Sequence, residues 1–172
     1  MTNLSTFALV LLAAAGPGGK AKPSPAAALA RKQIEQAMLV LDKATIARSI
    51  AQTMAMLDKK FVGHEPGGVT TNYAAIELRL KQEYKLITKV STSTARITSF
   101  AFHGNTVVTT IAQSETGTLN VPAGSPRFKA GPQPYKDVST DRITWVKRGK
   151  SWKVLVDTQL TDTTTVSGKK VS

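Results

Sequence analysis

Three features of the chain predict an α+β fold with helices first and an antiparallel sheet after them. Apolar residues recur at helical spacing as far as Ile87, and at every second position after Thr88. Residues 141–160, DRITWVKRGKSWKVLVDTQL, place a Trp on each side of Arg148-Gly149-Lys150, which is the pattern of a β-hairpin. The 172 residues, 41% of them hydrophobic, suffice for one domain with a real core, and no internal repeat or second domain is visible.

The elements follow in order. Residues 7–15, FALVLLAAA, end in Ala13-Ala14-Ala15, an apolar run with an A-x-A site that reads as a secretory signal peptide, although no Lys or Arg precedes it. The run is too short to span a bilayer, which takes about 20 apolar residues. Residues 1–23 are thus expected to be signal and leader, the protein to be secreted or periplasmic, and no membrane span to be present. Ser24 then offers an N-cap with Pro25 at the first helical position. A first helix carries Leu29, Ile34, Ala37 and Leu41, and a second, over residues 44–57, carries Ile46, Ile50, Met54 and Leu57 on one stripe, with Asp42-Lys43 as the joint. Phe61-Val62 suggests a short strand, Pro66-Gly67-Gly68 a turn, and Asn72 the cap of a third helix with Tyr73, Ile76, Leu80, Tyr84 and Ile87 on its apolar face. Residues 95–103 and 106–114 read as strands around a type II′ turn at Gly104-Asn105. Residues 115–140 hold four Pro and three Gly, so an arm, a lid or a mobile loop is expected there, and the polar residues 161–172 are expected to fray.

The net charge is +12, because acids (11) are scarce against 23 Lys and Arg. Such an excess draws a protein toward anionic surfaces. Residues 126–153 concentrate it: Arg127, Lys129, Lys136, Arg142, Lys147, Arg148, Lys150 and Lys153 stand against Asp137 and Asp141, with Phe128, Tyr135, Trp145 and Trp152 interleaved. Basic residues with aromatics can stack single strands. No nucleic-acid signature accompanies them, so a solvated strand edge guarded by Lys and Arg is preferred and a nucleic-acid partner is not expected. The chain has no Cys, which excludes disulfides and thiolate metal sites. Its two histidines, His64 and His103, lack metal-binding spacing, so neither a metal nor another cofactor is expected. No G-x-S-x-G elbow supports a hydrolase triad, and no Gly-Lys-Ser/Thr loop a phosphate cradle.

Leu41-Asp42-Lys43-Ala44, Phe61-Val62 with Gly67-Gly68, His103-Gly104-Asn105-Thr106-Val107-Val108, and Trp145-Val146-Lys147 followed by Ser151-Trp152-Lys153-Val154 occur in an order and spacing that resemble the nuclear transport factor 2-like (SnoaL-like, ketosteroid isomerase-like) superfamily. The resemblance covers about residues 24–160. It implies three N-terminal helices packed in the concave face of a strongly curved antiparallel sheet, a cone-shaped α+β barrel around a pocket. It also implies a homodimer formed through the sheet. Trp152, Val154 and Val156 are expected on one face of the last strand and Lys153, Leu155 and Asp157 on the other. Apolar side chains on both faces agree with a covered outer face.

This superfamily hosts many chemistries, so function must come from the site. The pocket is expected to be lined by Tyr73, Tyr84, His64, Glu65, Trp145 and Gln159, and to bind a small apolar or amphipathic molecule. The alternative is an isomerase or lyase using His64 or Glu65 as base and a Tyr as donor. Asp58, Glu65 and Asp157 are the candidate carboxylates, but no matching acid pair is apparent in the sequence, and the catalytic residues are left unassigned.

Overall fold

The structure, a computed structural model, describes residues 23–171. The signal-peptide reading falls almost entirely outside them. Helix α1 (Pro25–Ile46) starts as anticipated, with Ser24 Oγ accepting from the Ala27 amide at 3.2 Å. It does not stop at Asp42-Lys43. The joint lies at residues 47–49, where Arg48 takes a left-handed φ of 52° and Ser49 caps α2 (Ile50–Met56). The Arg48 guanidinium donates to the carbonyls of Thr88 and Tyr84, and these bonds hold the unusual backbone in place.

Strand β1 (Leu57–His64) and the short β2 (Thr70–Asn72) lead into α3 (Tyr73–Leu86), which Asn72 Oδ1 caps on the Ala75 amide at 2.9 Å. Four long strands follow: β3 (Ile87–His103), β4 (Thr106–Val121), β5 (Gly131–Arg148) and β6 (Ser151–Val166), closed by β7 (Lys169–Lys170). Gly104 and Gly149 have φ of 69° and 58°, the left-handed first corner that type II′ turns require. Two sequence expectations give way. The span 115–140 is mostly strand, leaving only residues 122–130 as a loop: Pro122 and Pro126 fall in that loop, and Pro132 and Pro134 in the first residues of β5, before its pairing with β6 begins. Residues 161–166 extend β6, and a Ser167-Gly168 turn returns β7 onto it, so this tail is paired.

The strand order is β2-β1-β6-β5-β4-β3, with β7 also on β6. The predicted α+β cone is present, with one refinement: β1 and β6 run parallel, so the curved, unclosed sheet is mixed. Register shifts within β3 and between β5 and β6 mark bulges, which bend a sheet and increase its twist. The helices fill the concave side, α1 across β3 and α3 against β1. One apolar cluster holds Ile34, Met38, Phe61, Ile76, Val107, Ile111, Ile143, Trp145, Trp152 and Val154; a smaller one holds Val121, Tyr135 and Val166.

Candidate functional site

A polar belt separates these two clusters. Along β5 the inward residues run Trp145, Ile143, Asp141, Ser139, Asp137, Tyr135, a strict alternation that turns from apolar to acidic and back. Opposite them on β4 stand Ile111, Gln113 and Glu115, paired in register with Asp141, Ser139 and Asp137. On β6 the pairing skips Leu155 and Leu160, which brings Asp157 opposite Ile143, Gln159 opposite Asp141, and Asp162 opposite Ser139. The bulges thereby move Asp157 onto the face of Trp152 and Val154, correcting the expectation that it lies opposite them.

The belt opens into a cavity of about 260 Å³. One wall is apolar, built by Leu57, Phe61, Ile76, Leu80, Ile143 and Val154, and the other carries Gln113, Glu115, Asp137, Asp141, Asp157 and Gln159. A second chamber of about 620 Å³ lies under the 122–130 loop and shares Glu65, Arg79, Glu115, Asp137 and Gln159 with the first.

The carboxylates here are placed at a cost. Asp141 is 4% exposed; its Oδ2 accepts from Gln113 Nε2 at 2.6 Å and Ser139 Oγ at 2.7 Å, yet burial still lifts its carboxyl above the ordinary range. Burial, with the Asp141 charge nearby, pushes Asp157 up to about 7. Its Oδ1 is buried without a hydrogen-bond partner. Asp137 is raised to about 6 by burial and by neighbouring Asp162, although Thr164 Oγ1 donates to it at 2.6 Å. Glu115 is raised by burial and accepts a short hydrogen bond from the Tyr135 hydroxyl, which burial and that bond hold protonated. Tyr135 fits because Gly117 faces it: a Cβ there would lie 2.7 Å from the ring and 2.1 Å from Lys89 O. Carboxyls that titrate near neutrality in a cleft suit proton transfer or the holding of a charged ligand.

Of the sequence-predicted residues, His64, Glu65 and Gln159 line the 260 Å³ cavity. His64 sits exposed at the rim, and Glu65 is tied to Arg79 in an ion pair, which denies it the role of free base. Tyr73, Tyr84 and Trp145 are not in its lining. The Tyr73 hydroxyl donates to Met54 O at 3.3 Å and receives Lys59 Nζ at 2.9 Å. The Tyr84 ring lies beneath the Arg48 guanidinium, 5.5 Å from its centroid. Trp145 is wholly buried, its Nε1 donating to Thr109 Oγ1 at 2.9 Å in the apolar floor. Asp58, another candidate carboxylate, is spent on Arg148 at 2.6 Å outside the cavity. Asp137, Asp141, Glu115 and Arg79 went unassigned in the sequence. The signal for the first two was an alternation of acids and small polar residues along a strand that ends in Ile143 and Trp145.

The helices in the concave face and the cavity at its centre define this architecture as the nuclear transport factor 2-like fold, that of SnoaL-like domains. No protein-family model matches the sequence, and neither does any curated protein. Solved structures do match. A type 2 hexachlorocyclohexane dehydrochlorinase is 10% identical, with a TM-score of 0.61 over 86% of this chain and 92% of that one. A protein assigned as a scytalone dehydratase of Novosphingobium aromaticivorans is 13% identical, with a TM-score of 0.63 over 81% and 89%. A nuclear transport factor 2-like protein of Cytophaga hutchinsonii is 13% identical, with a TM-score of 0.54 over 75% and 95%. At these identities the likeness is one of fold.

Proposed function

We propose that the cone binds a small amphipathic molecule, with hydrocarbon against Phe61, Ile76 and Val154 and a polar end among Asp141, Asp157, Gln113 and Gln159. The observation that carries this reading is the cavity of about 260 Å³ with one apolar and one hydrogen-bonding wall, the usual make-up of a small-molecule site. The cost of burying carboxylates supports it too, since a core kept only for stability would not hold them. A thermal-shift screen against small metabolites tests the reading, because a ligand of the folded state raises its melting temperature. A ligand whose shift disappears when Ile143→Trp fills the cavity supports it; a library without a single such hit rejects it.

The second reading is an isomerase or lyase, favoured by Asp157, whose near-neutral carboxyl and unpartnered Oδ1 suit a general base better than the paired Glu65 does. The dehydratase and dehydrochlorinase among the structural neighbours are compatible with it. Deuterium exchange into carbon acids, followed by NMR, is expected to rise through pH 7 and to vanish in Asp157→Asn; equal exchange by the variant removes this reading. Export and pairing belong to the same proposal. Exposed Val138 and Leu160 on β5 and β6 support a partner on the sheet, and a light-scattering mass near 18.3 kDa at all concentrations would exclude one.

A further inference from the structure

The acids of this basic chain are sorted by place. Of its eleven Asp and Glu, only Glu35, Asp58 and Glu77 lie outside the lining of the two chambers, and the other eight line one or both. Each of those three is paired to a base: Glu35 to Arg31, Asp58 to Arg148, Glu77 to Lys81. Inside, the balance is reversed. Among the described residues Arg79 is the only Lys or Arg lining either chamber, and it is engaged by Glu65 and, at 3.5 Å, by Glu83. Glu115, Asp137, Asp141, Asp157 and Asp162 have no ion pair among the described residues, and one oxygen each of Asp157 and Asp162 is buried with no hydrogen-bond partner. Among the described residues the chamber walls thus carry carboxyl groups with no basic partner, and Arg79 is the one Lys or Arg beside them.

Resting on the ligand-binding reading above, we infer that the molecule held in the cone is an organic cation: an amine whose ammonium meets Asp141 and Asp157 while its hydrocarbon lies against Phe61 and Ile76. Carboxylates in a walled, poorly hydrated cavity focus negative potential on its interior, and a charge-assisted N–H···O bond is about twice as strong as a neutral one. The acids are strung along strands, where alternate residues stand roughly 6.5–7 Å apart. No three Asp, Glu or His among the described residues come together as ligands for a metal ion. That spacing suits an ammonium group on a carbon skeleton. An anionic ligand would meet only Arg79, already taken. The cation also offsets the mutual repulsion of the carboxylates: it replaces protons that repulsion and burial keep on them, so binding expels protons. The outer surface, being positive, repels the same molecule and leaves the cone as its place of attraction.

Calorimetry with two matched sets tests this: 2-phenylethylamine, 2-phenylethanol and phenylacetate, and hexylamine, hexanol and hexanoate. Each amine is expected to bind at least tenfold more tightly than its alcohol and the carboxylate least. The amine heat is expected to change with the ionisation enthalpy of the buffer, which reports the released proton. Asp157→Asn and Asp141→Asn, both isosteric, are each expected to weaken the amine at least fivefold and the alcohol by less. An alcohol that binds as tightly as its amine overturns the cation and keeps the ligand-binding reading. Absence of binding by all six overturns both. A tighter carboxylate also rejects the cation.

Discussion

Replacing Asp157 by Asn should make the protein more stable, and increasingly so as the pH rises. The folded carboxyl titrates at about 7 against 3.8 for the free group, so the folded state holds a proton that the unfolded chain has already lost. Stability therefore falls with pH, beginning above 3.8 and ending above 7. Converted at about 1.4 kcal/mol per tenfold change in proton affinity, the penalty is about 1.5 kcal/mol at pH 5 and about 4 kcal/mol at pH 8.5. Asn keeps the shape and cannot ionise, so the variant escapes this penalty. Urea unfolding of both proteins at pH 5, 6, 7 and 8.5 measures the difference. The gap between them should widen by about 2–3 kcal/mol across the series, with most of the change between pH 5 and 7. Parallel stability curves for wild type and Asp157→Asn would refute the reasoning: the carboxyl would then be ordinary, with water reaching it.

Four further outcomes are expected. Gly117→Ala drives a Cβ into Lys89 O and the Tyr135 ring, and should cost about 1–3 kcal/mol in chemical denaturation, with a loss of near-ultraviolet signal from Tyr135. Trp145→Phe removes the buried hydrogen bond to Thr109 and should cost a similar amount, about 1–3 kcal/mol, in the same assay. Ser24→Ala removes the cap of α1 and should lower stability by about 1 kcal/mol, read as a lower melting temperature. Asp58 titrates in the opposite sense: Arg148 and the Lys60 amide hold its carboxyl below the usual value, so it contributes stability at neutral pH that is lost as the pH falls through that lowered value. Arg148→Ala should therefore weaken the protein at neutral pH more than in acid, measured by urea midpoints at pH 3.5 and 7.

Helix starts were legible because capping is local: Ser24 and Asn72 sit immediately before the turns they cap. The hairpin corners were legible because only Gly takes their backbone angles cheaply, as at Gly104 and Gly149. The α+β class and the cone also came through, since the apolar period changes once, at Thr88, and the closing Trp hairpin resembles the closing strands of that superfamily. The joint of the first two helices did not, because Arg48 is fixed by carbonyls of Tyr84 and Thr88, distant in sequence. Nor did the reach of β4 and β5: prolines that mark a loop in isolation are harmless at the ends of paired strands.

The acidic wall was the largest loss. Alternation along a strand assigns faces only while the register advances one residue at a time, and β6 advances two at Leu155 and again at Leu160. The sequence by itself determined the composition of that strand, Asp157 and Gln159 included. Only pairing with β5 decided that Asp157 turns into the cone beside Gln159, because a bulge is a property of two strands held together and leaves no period in either one alone.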